Sequence, residues 1–358
     1  MKPCSVCRDK RQPAAEALGV CADCLRAGQA GAIELAAAAH QACRREFGLP
    51  AYPPRDPRGL ACGLCVNQCR IAPGEAGFCG VRRNEAGRLR GGTEAAAVDW
   101  YYDPLPTNCV CAPWCEACAE VSRALLFRQL KNLAVFYRAC TFDCLFCQNW
   151  HFRDKAPPQR RRTPEELAQA VDSGTACICY FGGDPTPHII HALRASRIAL
   201  RAAGARPLRI CWETNGAMSL ALAKRIMRLS LASGGIVKFD LKAWTPALHR
   251  ALCGVDNAWT LRNFRELARM RDAANGQPPL IASTLLVPGY VEDYEVGQIA
   301  RFIADCDPAI PYALLAFCPQ FLMSDLPTTS REQAQRCLEA AHGAGLQRVR
   351  LGNRHLLG

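Results

Sequence analysis

The sequence predicts an α/β fold, a partial (β/α)6 barrel preceded by a cysteine-rich N-terminal metal-binding region. From about residue 131, short apolar runs of strand length alternate with longer helical segments, which is typical of βα units around a mainly parallel sheet. Before that point the chain is dense in cysteine, rich in turn residues and poor in apolar periodicity. We therefore divide it into a zinc-ribbon-like segment with one helix (1–58), a cysteine-rich module (59–130) and a barrel core (131–358).

Six strand–helix units can be counted in the core. The predicted strands are 133–138, 176–181, 207–212, 236–241, 280–287 and 312–317. The first helix follows Thr163, which is expected to cap it because Pro164 suits the first helical position. The other helices are expected at 189–203, 219–233, 259–274, 294–306 and 331–343. A short strand at 348–351 closes the chain, and an alanine-rich helix is predicted over 33–47.

Composition limits the class of protein. Half of the 358 residues are hydrophobic, which supports a sizeable buried core. The sequence has no 18-residue apolar run and opens MKPCSVCRDK, so we expect a cytoplasmic protein with no membrane partner. Its 23 cysteines, many in C-x2-C or C-x3-C groups, indicate metal or cluster ligation rather than disulfides.

The net charge of +12 raises the question of nucleic acid as a partner. Arginine- and alanine-rich composition is also an ordinary consequence of a GC-rich genome, and thiolates bound to metal subtract from the formal charge. The sequence therefore does not favour nucleic-acid binding.

Residues 140–147 read CTFDCLFC, with Cys140, Cys144 and Cys147 at the spacing C-x3-C-x2-C. Three thiolates can hold three irons of a 4Fe-4S cluster and leave the fourth iron open to a ligand, since full protein ligation needs four. A predicted apolar strand delivers the first cysteine, and Phe146 could shield the cluster. The alternative, a zinc knuckle, needs a fourth ligand, and no obvious one follows.

Polar motifs follow the next three predicted strands. Gly182-Gly183-Asp184 combines two glycines, which let backbone approach a ligand, with an acid that can meet an ammonium group. Asn215 follows the third strand. Asp240 and Lys242 lie two residues apart after the fourth, so both point into the barrel. Carboxyl ends of strands are where barrel proteins place their functional residues.

In this order the motifs resemble those of the radical S-adenosylmethionine (SAM) enzymes, with Asp184 in the place of the usual glutamate. The triplet Asp240-Leu241-Lys242, the later Gly254-Val255 and Val287-Pro288-Gly289 are similar to the glycyl-radical-enzyme activases, the pyruvate formate-lyase activating enzyme group. Residues 62–83, 144–150 and 349–353 resemble the radical SAM member of the AmmeMemoRadiSam system. The chain has Cys318 where that group commonly has histidine, so no ribose contact is assigned there.

The resemblance implies a radical SAM oxidoreductase. A 4Fe-4S cluster on Cys140, Cys144 and Cys147 would reductively cleave SAM to a 5′-deoxyadenosyl radical, which abstracts hydrogen from a protein or peptide substrate. A flavodoxin or ferredoxin is the expected electron donor, and no side chain needs to act as acid or base. The residues implied to contact SAM are Gly182, Gly183, Asp184, Asn215, Asp240 and Lys242.

The remaining cysteines form three sets. The first, spaced like a zinc ribbon, predicts a structural tetrahedral zinc site and contains Cys4, Cys7, Cys21 and Cys24. The second is a candidate for zinc, a cluster or plain structure: Cys62, Cys65, Cys69 and Cys79. The third set follows a proline-rich loop and has two interpretations, a sealed zinc or cluster site or cysteines with a purely structural role: Cys109, Cys111, Cys115 and Cys118.

Isolated cysteines in apolar segments are expected to be small buried hydrophobes. They are Cys43, Cys177, Cys179, Cys211, Cys253, Cys306 and Cys337. A different class also remains open at this point, a non-catalytic zinc or iron–sulfur protein that binds nucleic acid or a partner protein.

Overall fold

The computed structural model describes residues 2–9, 14–105, 109–119, 130–154, 160–270 and 278–358. A nine-stranded sheet lies at its centre, in the order β13-β12-β11-β10-β9-β8-β6-β5-β7. Its strands are β5 (Ala96–Pro104), β6 (Lys131–Tyr137), β7 (Arg161–Arg162), β8 (Thr175–Tyr180), β9 (Arg209–Thr214), β10 (Val237–Asp240), β11 (Leu280–Leu286), β12 (Tyr312–Ala316) and β13 (Val349–Gly352). Two small hairpins precede it, β1 (Leu60–Ala61) with β2 (Arg70–Ile71), and β3 (Arg83–Glu85) with β4 (Arg88–Arg90).

The strands β6 and β8 to β13 pair in parallel, so the six predicted units and the closing strand are confirmed. Helices lie between them in the expected order. Within the described residues the helices are Ala22–Arg26, Ala30–Glu46, Pro164–Gln169, Ile189–Ala203, Leu220–Ser233, Pro246–Cys253, Ala258–Ala268, Asp293–Cys306 and Arg331–Gly343. The predicted helix 259–274 is observed to Ala268, and its last residues, 271–274, lie outside the described part of the chain. None of these described helices has both the length and the apolarity to cross a membrane.

Local sequence explains where the elements begin and end. Thr163 caps the helix Pro164–Gln169 as predicted, since its Oγ1 accepts from the amide of Glu166 at 3.2 Å. The Glu166 carboxylate accepts from the amide of Thr163 at 2.7 Å, which completes a capping box. Every residue of β8 is buried, because helices and the barrel interior cover its two faces.

The strand β5 was not predicted from the sequence. It pairs antiparallel with β6 from Val98 opposite Tyr137 to Pro104 opposite Lys131. Its residues Asp99, Tyr101 and Tyr102 are exposed, so the apolar alternation that marks a strand is weak. β5 lies before the predicted domain boundary at residue 130, but it pairs with the sheet formed by residues after that boundary. The division of the chain into three parts stays a prediction.

A buried ion cluster attaches the N-terminal helix Ala30–Glu46 to the 140–147 loop. Asp143, fully buried, has one carboxylate oxygen 2.8 Å from Nδ1 of His40. Its other oxygen lies 3.3 Å from Nη1 of Arg44 and 3.0 Å from Nη1 of Arg153. The other ring nitrogen of His40 lies 2.9 Å from the carbonyl oxygen of Ala251. One carboxylate therefore joins a helix, a loop and the segment after it.

Replacing Asp143 with asparagine removes the negative charge beside two buried guanidinium groups and keeps the side-chain shape. Because an unpaired buried charge is costly, we expect the free energy of unfolding to fall by about 3–5 kcal/mol, measured by urea denaturation with circular dichroism. The control Asp256→Asn loses one exposed ion pair with Arg250, at 3.5 Å, and should cost less than about 1 kcal/mol. Equal losses in the two variants would contradict this role for Asp143.

Candidate functional site

The 140–147 loop begins three residues after β6 ends, at the carboxyl end of the sheet. Cys144 is buried, whereas Cys140 and Cys147 are partly exposed. The amide of Phe142 lies 3.3 Å from the Cys140 sulfur, and Nδ2 of Asn215 lies 3.8 Å from it. Backbone and amide N–H groups thus point at a sulfur atom, as they do around sulfur ligands of metals.

The chemistry of this loop suits an iron–sulfur cluster. Burial raises the pKa of the Cys140 thiol well above its ordinary value, and it raises the pKa of Cys147 to about 11. The thiolate forms that ligate iron therefore need positive charge nearby, which a bound metal supplies. The loop offers three sulfur donors, one fewer than full ligation of a four-iron cluster requires.

The Gly182-Gly183-Asp184 turn packs directly against the end of β6. A Cβ atom at Gly183 would lie 2.2 Å from the carbonyl oxygen of Tyr137, and Gly183 has a φ of +63°. The amide of Asp184 donates to the carbonyl of Ala139 at 2.9 Å. Both the close approach and the backbone angle require glycine here, and they hold the strand end that precedes Cys140.

The Asp184 carboxylate is buried and bound by protein donors. Oδ1 accepts from the amide of Thr186 at 2.8 Å, and Oδ2 accepts from Oγ1 of Thr214 at 2.8 Å and from the amide of Asn215 at 2.9 Å. Burial raises its pKa, and these hydrogen bonds oppose that shift. Asp184 thus links the loops after β8 and β9, and its contact with SAM stays a prediction.

The side-chain amide of Asn215 lies beside the first cysteine of the loop. Besides approaching the sulfur of Cys140, its Nδ2 donates to Oγ1 of Thr141 at 2.8 Å. Its Oδ1 accepts from the amide of Ala217 at 3.0 Å, and its carbonyl accepts from Oγ1 of Thr260 at 2.7 Å. The amide is therefore fixed in place from several sides.

A ladder of alternating charges runs through the barrel interior. Nζ of Lys238 lies 2.8 Å from Glu213 and 2.9 Å from Asp240, and Nζ of Lys242 lies 2.9 Å from the other oxygen of Asp240. Oγ of Ser283 donates to Asp240 at 2.7 Å. The predicted pair Asp240 and Lys242 is thus brought together as an ion pair.

These charges are maintained by one another. Burial by itself would lower the pKa of Lys238, but Asp240 and Glu213 outweigh it and raise that pKa well above its ordinary value. Burial likewise opposes ionisation of Asp240, yet Lys238 and Lys242 bring its pKa below the ordinary value. The interior next to the 140–147 loop therefore carries fixed charges, with the ammonium group of Lys242 close enough to Cys144 to affect its ionisation.

The first cysteine set converges on one point. The four sulfur atoms all lie within 4.8 Å of one another, with 3.8 Å between Cys4 and Cys24 and 3.7 Å between Cys7 and Cys21. A zinc ion with Zn–S bonds of about 2.3 Å in a tetrahedron places its sulfurs about 3.8 Å apart. The donor set and its spacing therefore fit a single tetrahedral metal ion.

The second set lies around one small cavity, beside the barrel rather than apart from it. Its wall contains Cys62, Cys65, Cys69 and Cys79 together with Thr141 and Thr186 of the core. The amide of Phe78 lies 3.3 Å from the sulfur of Cys69, and burial raises the pKa of Cys69 to about 11. The structure thus brings the four residues together, and the identity of any metal there stays open.

The third set lies at the opposite end of the barrel from the 140–147 loop. Cys111 packs against Ile236 and Ile281, at the amino ends of β10 and β11. Glu116 lies 4.0 Å from Arg209, the first residue of β9. The segment 109–119 therefore covers the amino ends of the strands.

Seven cysteines are expected to be small buried hydrophobes, and three of them face one cavity. Cys177 and Cys179 of β8 are buried, as expected, and Cys211 of β9 is partly exposed. All three point into the barrel and line that cavity with the third set. Spacing along the chain does not reveal this grouping, because it does not show which strands become neighbours.

Sequence reasoning also missed a cleft beside Cys140. It has a volume of ≈ 340 Å³ and lies between the core and residues of the N-terminal region. Arg83, Arg138 and Arg161 contribute to its wall, as does His188, whose buried ring nitrogens have no hydrogen-bond partner among the described residues. Burial lowers the pKa of His188 to about 3, so it is neutral near pH 7. In the sequence, the cleft is marked only by one histidine after a turn, and such a residue does not indicate a cleft by itself.

Two relatives come from Methanocaldococcus jannaschii. The protein MJ0808 is 25% identical over 310 residues, which is 84% of this chain and 84% of the relative. The protein MJ0674 is 22% identical over 229 residues, which is 60% of this chain and 63% of the relative.

Among solved structures, a domain of pyruvate-formate lyase-activating enzyme from Bacteroides vulgatus is similar at a TM-score of 0.39 and 22% identity, covering 49% of this chain and 98% of that one. Streptococcus suis SuiB bound to S-adenosylmethionine is similar at a TM-score of 0.48 and 13% identity, covering 67% of this chain and 55% of that one.

Residues 134–303 match the family model of the radical SAM superfamily. They include Cys140, Cys144, Cys147 and the motifs after β8 to β10. The matched residues lie within the barrel, and residues 134–303 form a domain of the radical SAM superfamily.

Proposed function

We propose that the protein is a radical SAM enzyme whose 4Fe-4S cluster is held by Cys140, Cys144 and Cys147. The observation that carries the proposal is a loop with three sulfur donors at the carboxyl end of β6, beside the fixed amide of Asn215. When bound, the cluster supplies one electron to the sulfonium of SAM, giving methionine and a 5′-deoxyadenosyl radical that takes hydrogen from a substrate.

The chain's own residues position the reactants. Asp143 and its buried partners hold the loop, and Asp184 holds the loops after β8 and β9. Asn215 presents an amide next to Cys140, where it can orient the amino or carboxylate group of SAM. Asp240 and Lys242 present opposite charges to the polar groups of the cofactor. Gly182 and Gly183 are proposed to contact SAM through backbone atoms.

The test is reductive cleavage of SAM. Anaerobically reconstituted protein with dithionite and SAM is expected to produce 5′-deoxyadenosine, and the Cys140/Cys144/Cys147→Ala variant is expected to produce none, because no cluster is held there. Chromatographic quantification of 5′-deoxyadenosine is the measurement. The control is Cys337→Ala, a buried cysteine of the helix Arg331–Gly343, which should retain full production.

Absence of 5′-deoxyadenosine from reconstituted wild-type protein with a full cluster would overturn the proposal. So would equal production by the triple variant.

For the substrate we propose a protein or peptide, as in the activase-like group. The cleft of ≈ 340 Å³ beside Cys140 is open enough to receive an extended segment, and its arginines favour a segment with carboxylates. A flavodoxin or ferredoxin is the proposed electron donor. The substrate proposal does not rest on the family match alone, since the match covers residues 134–303 and much of the cleft wall lies outside them. The proposal of the donor rests on the family resemblance.

Asn215→Ala tests the role of this amide in binding SAM. It removes a donor close to Cys140 and its hydrogen bond to Thr141, so we expect the Kd for SAM to rise about tenfold, equivalent to about 1.4 kcal/mol. Anaerobic isothermal titration calorimetry on cluster-loaded protein measures it. Asn84→Ala is the matched control, because it loses a buried amide hydrogen bond, 2.9 Å to the carbonyl of Ile71, outside the barrel. An unchanged Kd in the Asn215 variant would exclude the role.

We further propose that Cys4, Cys7, Cys21 and Cys24 hold a structural zinc ion. The support is the 3.7 and 3.8 Å sulfur separations, which match a zinc tetrahedron. The site joins the segment at the N-terminus to the helix Ala22–Arg26. The hydroxyl of Tyr290 in the core accepts from the amide of Ala15 and donates to the carbonyl of Val20, in the stretch between the two cysteine pairs. A metal here would therefore stabilise the attachment of this segment to the barrel.

Replacing Cys7 and Cys24 with alanine should lower the zinc content by about one ion per chain, because a structural site needs four ligands. The melting temperature should fall in parallel. Elemental analysis and thermal unfolding measure the two effects, with Cys306→Ala as the control that keeps both unchanged. Zinc content that does not fall in the double variant would refute the site.

A further inference from the structure

Seven cysteines surround one cavity at the amino end of the barrel. Four come from the segment 109–119 and are called the loop cysteines: Cys109, Cys111, Cys115 and Cys118. Three come from strands and are called the strand cysteines: Cys177, Cys179 and Cys211. All 23 cysteines lie in the described part of the chain, and none of them forms a disulfide there. Thiols from two strands and a covering loop thus face the same enclosed space.

The strand pairing brings thiols of two strands together. Register places Cys179 of β8 opposite Cys211 of β9, and Cys177 lies two residues before Cys179, on the same face of β8. All three line the same cavity as the loop cysteines. The loop cysteines therefore do not form a site separate from the strands.

The spacing distinguishes this arrangement from a site for one ion. Among the described residues, one group of cysteines is compact enough for a single metal ion, with all its sulfurs within 4.8 Å of one another. It is the first set, at residues 4–24. The seven cavity cysteines are also described, and no three of their sulfurs lie that close together. A single zinc ion requires sulfurs about 3.8 Å apart, whereas a cluster of several metal atoms holds its thiolates farther from one another.

The surroundings also suit a buried thiolate cluster. The buried ammonium group of Lys238 lies 2.8 Å from the carboxylate of Glu213, which lines the cavity. Oδ1 of Asn132 accepts from the thiol of Cys177 at 3.3 Å, and Glu213 lies 4.0 Å from the sulfur of Cys179. Soft sulfur donors in a dry site select zinc, copper(I) or iron–sulfur clusters over hard cations.

We propose that the loop and strand cysteines together hold a second iron–sulfur cluster, at the amino end of the barrel. Its ligands come from both groups, so the segment 109–119 and the strands β8 and β9 are joined through metal. This site lies at the opposite end of the barrel from the 140–147 loop, and it does not depend on SAM chemistry.

The experiment begins from the Cys140/Cys144/Cys147→Ala variant, which lacks the first cluster site. After anaerobic reconstitution with iron and sulfide, this variant is expected to retain about four irons and four sulfides per chain at the second site, with visible sulfur-to-iron absorption. Adding Cys177→Ala, Cys179→Ala and Cys211→Ala is expected to remove those four irons. Adding Cys306→Ala and Cys337→Ala instead is the control that should leave iron unchanged.

Circular dichroism checks that each variant is folded. If the strand variant does not fold, Cys177→Ser, Cys179→Ser and Cys211→Ser provide the same test, since serine keeps the size of the side chain and removes the sulfur ligand. A loss of about four irons in either set supports the proposal.

Three results would overturn the proposal. One is no iron above background in the starting variant, and another is a second zinc ion per chain with no iron after purification from cells. The third is full iron retention in the folded strand variant, because the four loop cysteines would then suffice. None of these results bears on 5′-deoxyadenosine production by the 140–147 loop, so the two proposals can fail separately.

Discussion

The buried carboxylate of Asp143 is the constraint on which the arrangement of the site depends. It lies between Cys140 and Cys144 in the chain, and its partners come from a helix of the N-terminal region and from the segment after the loop. Two guanidinium groups in a buried site require that counter-charge. The same contacts that satisfy the charges therefore fix the loop in space, and the N-terminal region becomes part of the active end of the barrel.

The barrel interior carries a row of charges, whereas closed eight-stranded β/α barrels are filled mainly with branched apolar side chains. Glu213, Lys238, Asp240 and Lys242 alternate in sign along β9, β10 and the residues that follow. Each charge is compensated by its neighbour, so the row can be buried without an unpaired ion. Cysteine thiols lie at both ends of this row, near Glu213 at one end and near Lys242 at the other.

The fold was largely predictable because its strands are short, apolar and regularly separated by helices, and the cap at Thr163 has a local signature. The strand β5 was missed because its exposed tyrosines and aspartates hide the apolar alternation. For the site, the spacing of Cys140, Cys144 and Cys147 is local and can be read directly. The partnership of Asp143 with His40 and Arg44 depends on tertiary packing across about a hundred residues of chain, which no short pattern records.

For the cysteines too, sequence spacing predicted local groups and missed those that depend on tertiary packing. Cys4, Cys7, Cys21 and Cys24 were grouped correctly from spacing, and the structure brings them together. Cys177 and Cys179 lie more than thirty residues before Cys211 in the sequence, but register places Cys179 opposite Cys211 in the sheet. Pairing of strands, rather than spacing of residues, assembles that group.

The hydrogen bonds of Asp184 also have a consequence for the shape of the cleft. Three donors from Thr186, Thr214 and Asn215 share one buried carboxylate, so the loops after β8 and β9 are held to each other. The loop after β8 carries His188, which lines the cleft beside Cys140. Much of the remaining wall is built from the segments around residues 48–50 and 76–83 of the N-terminal region. The width of the cleft is therefore set by how the N-terminal region packs against the barrel.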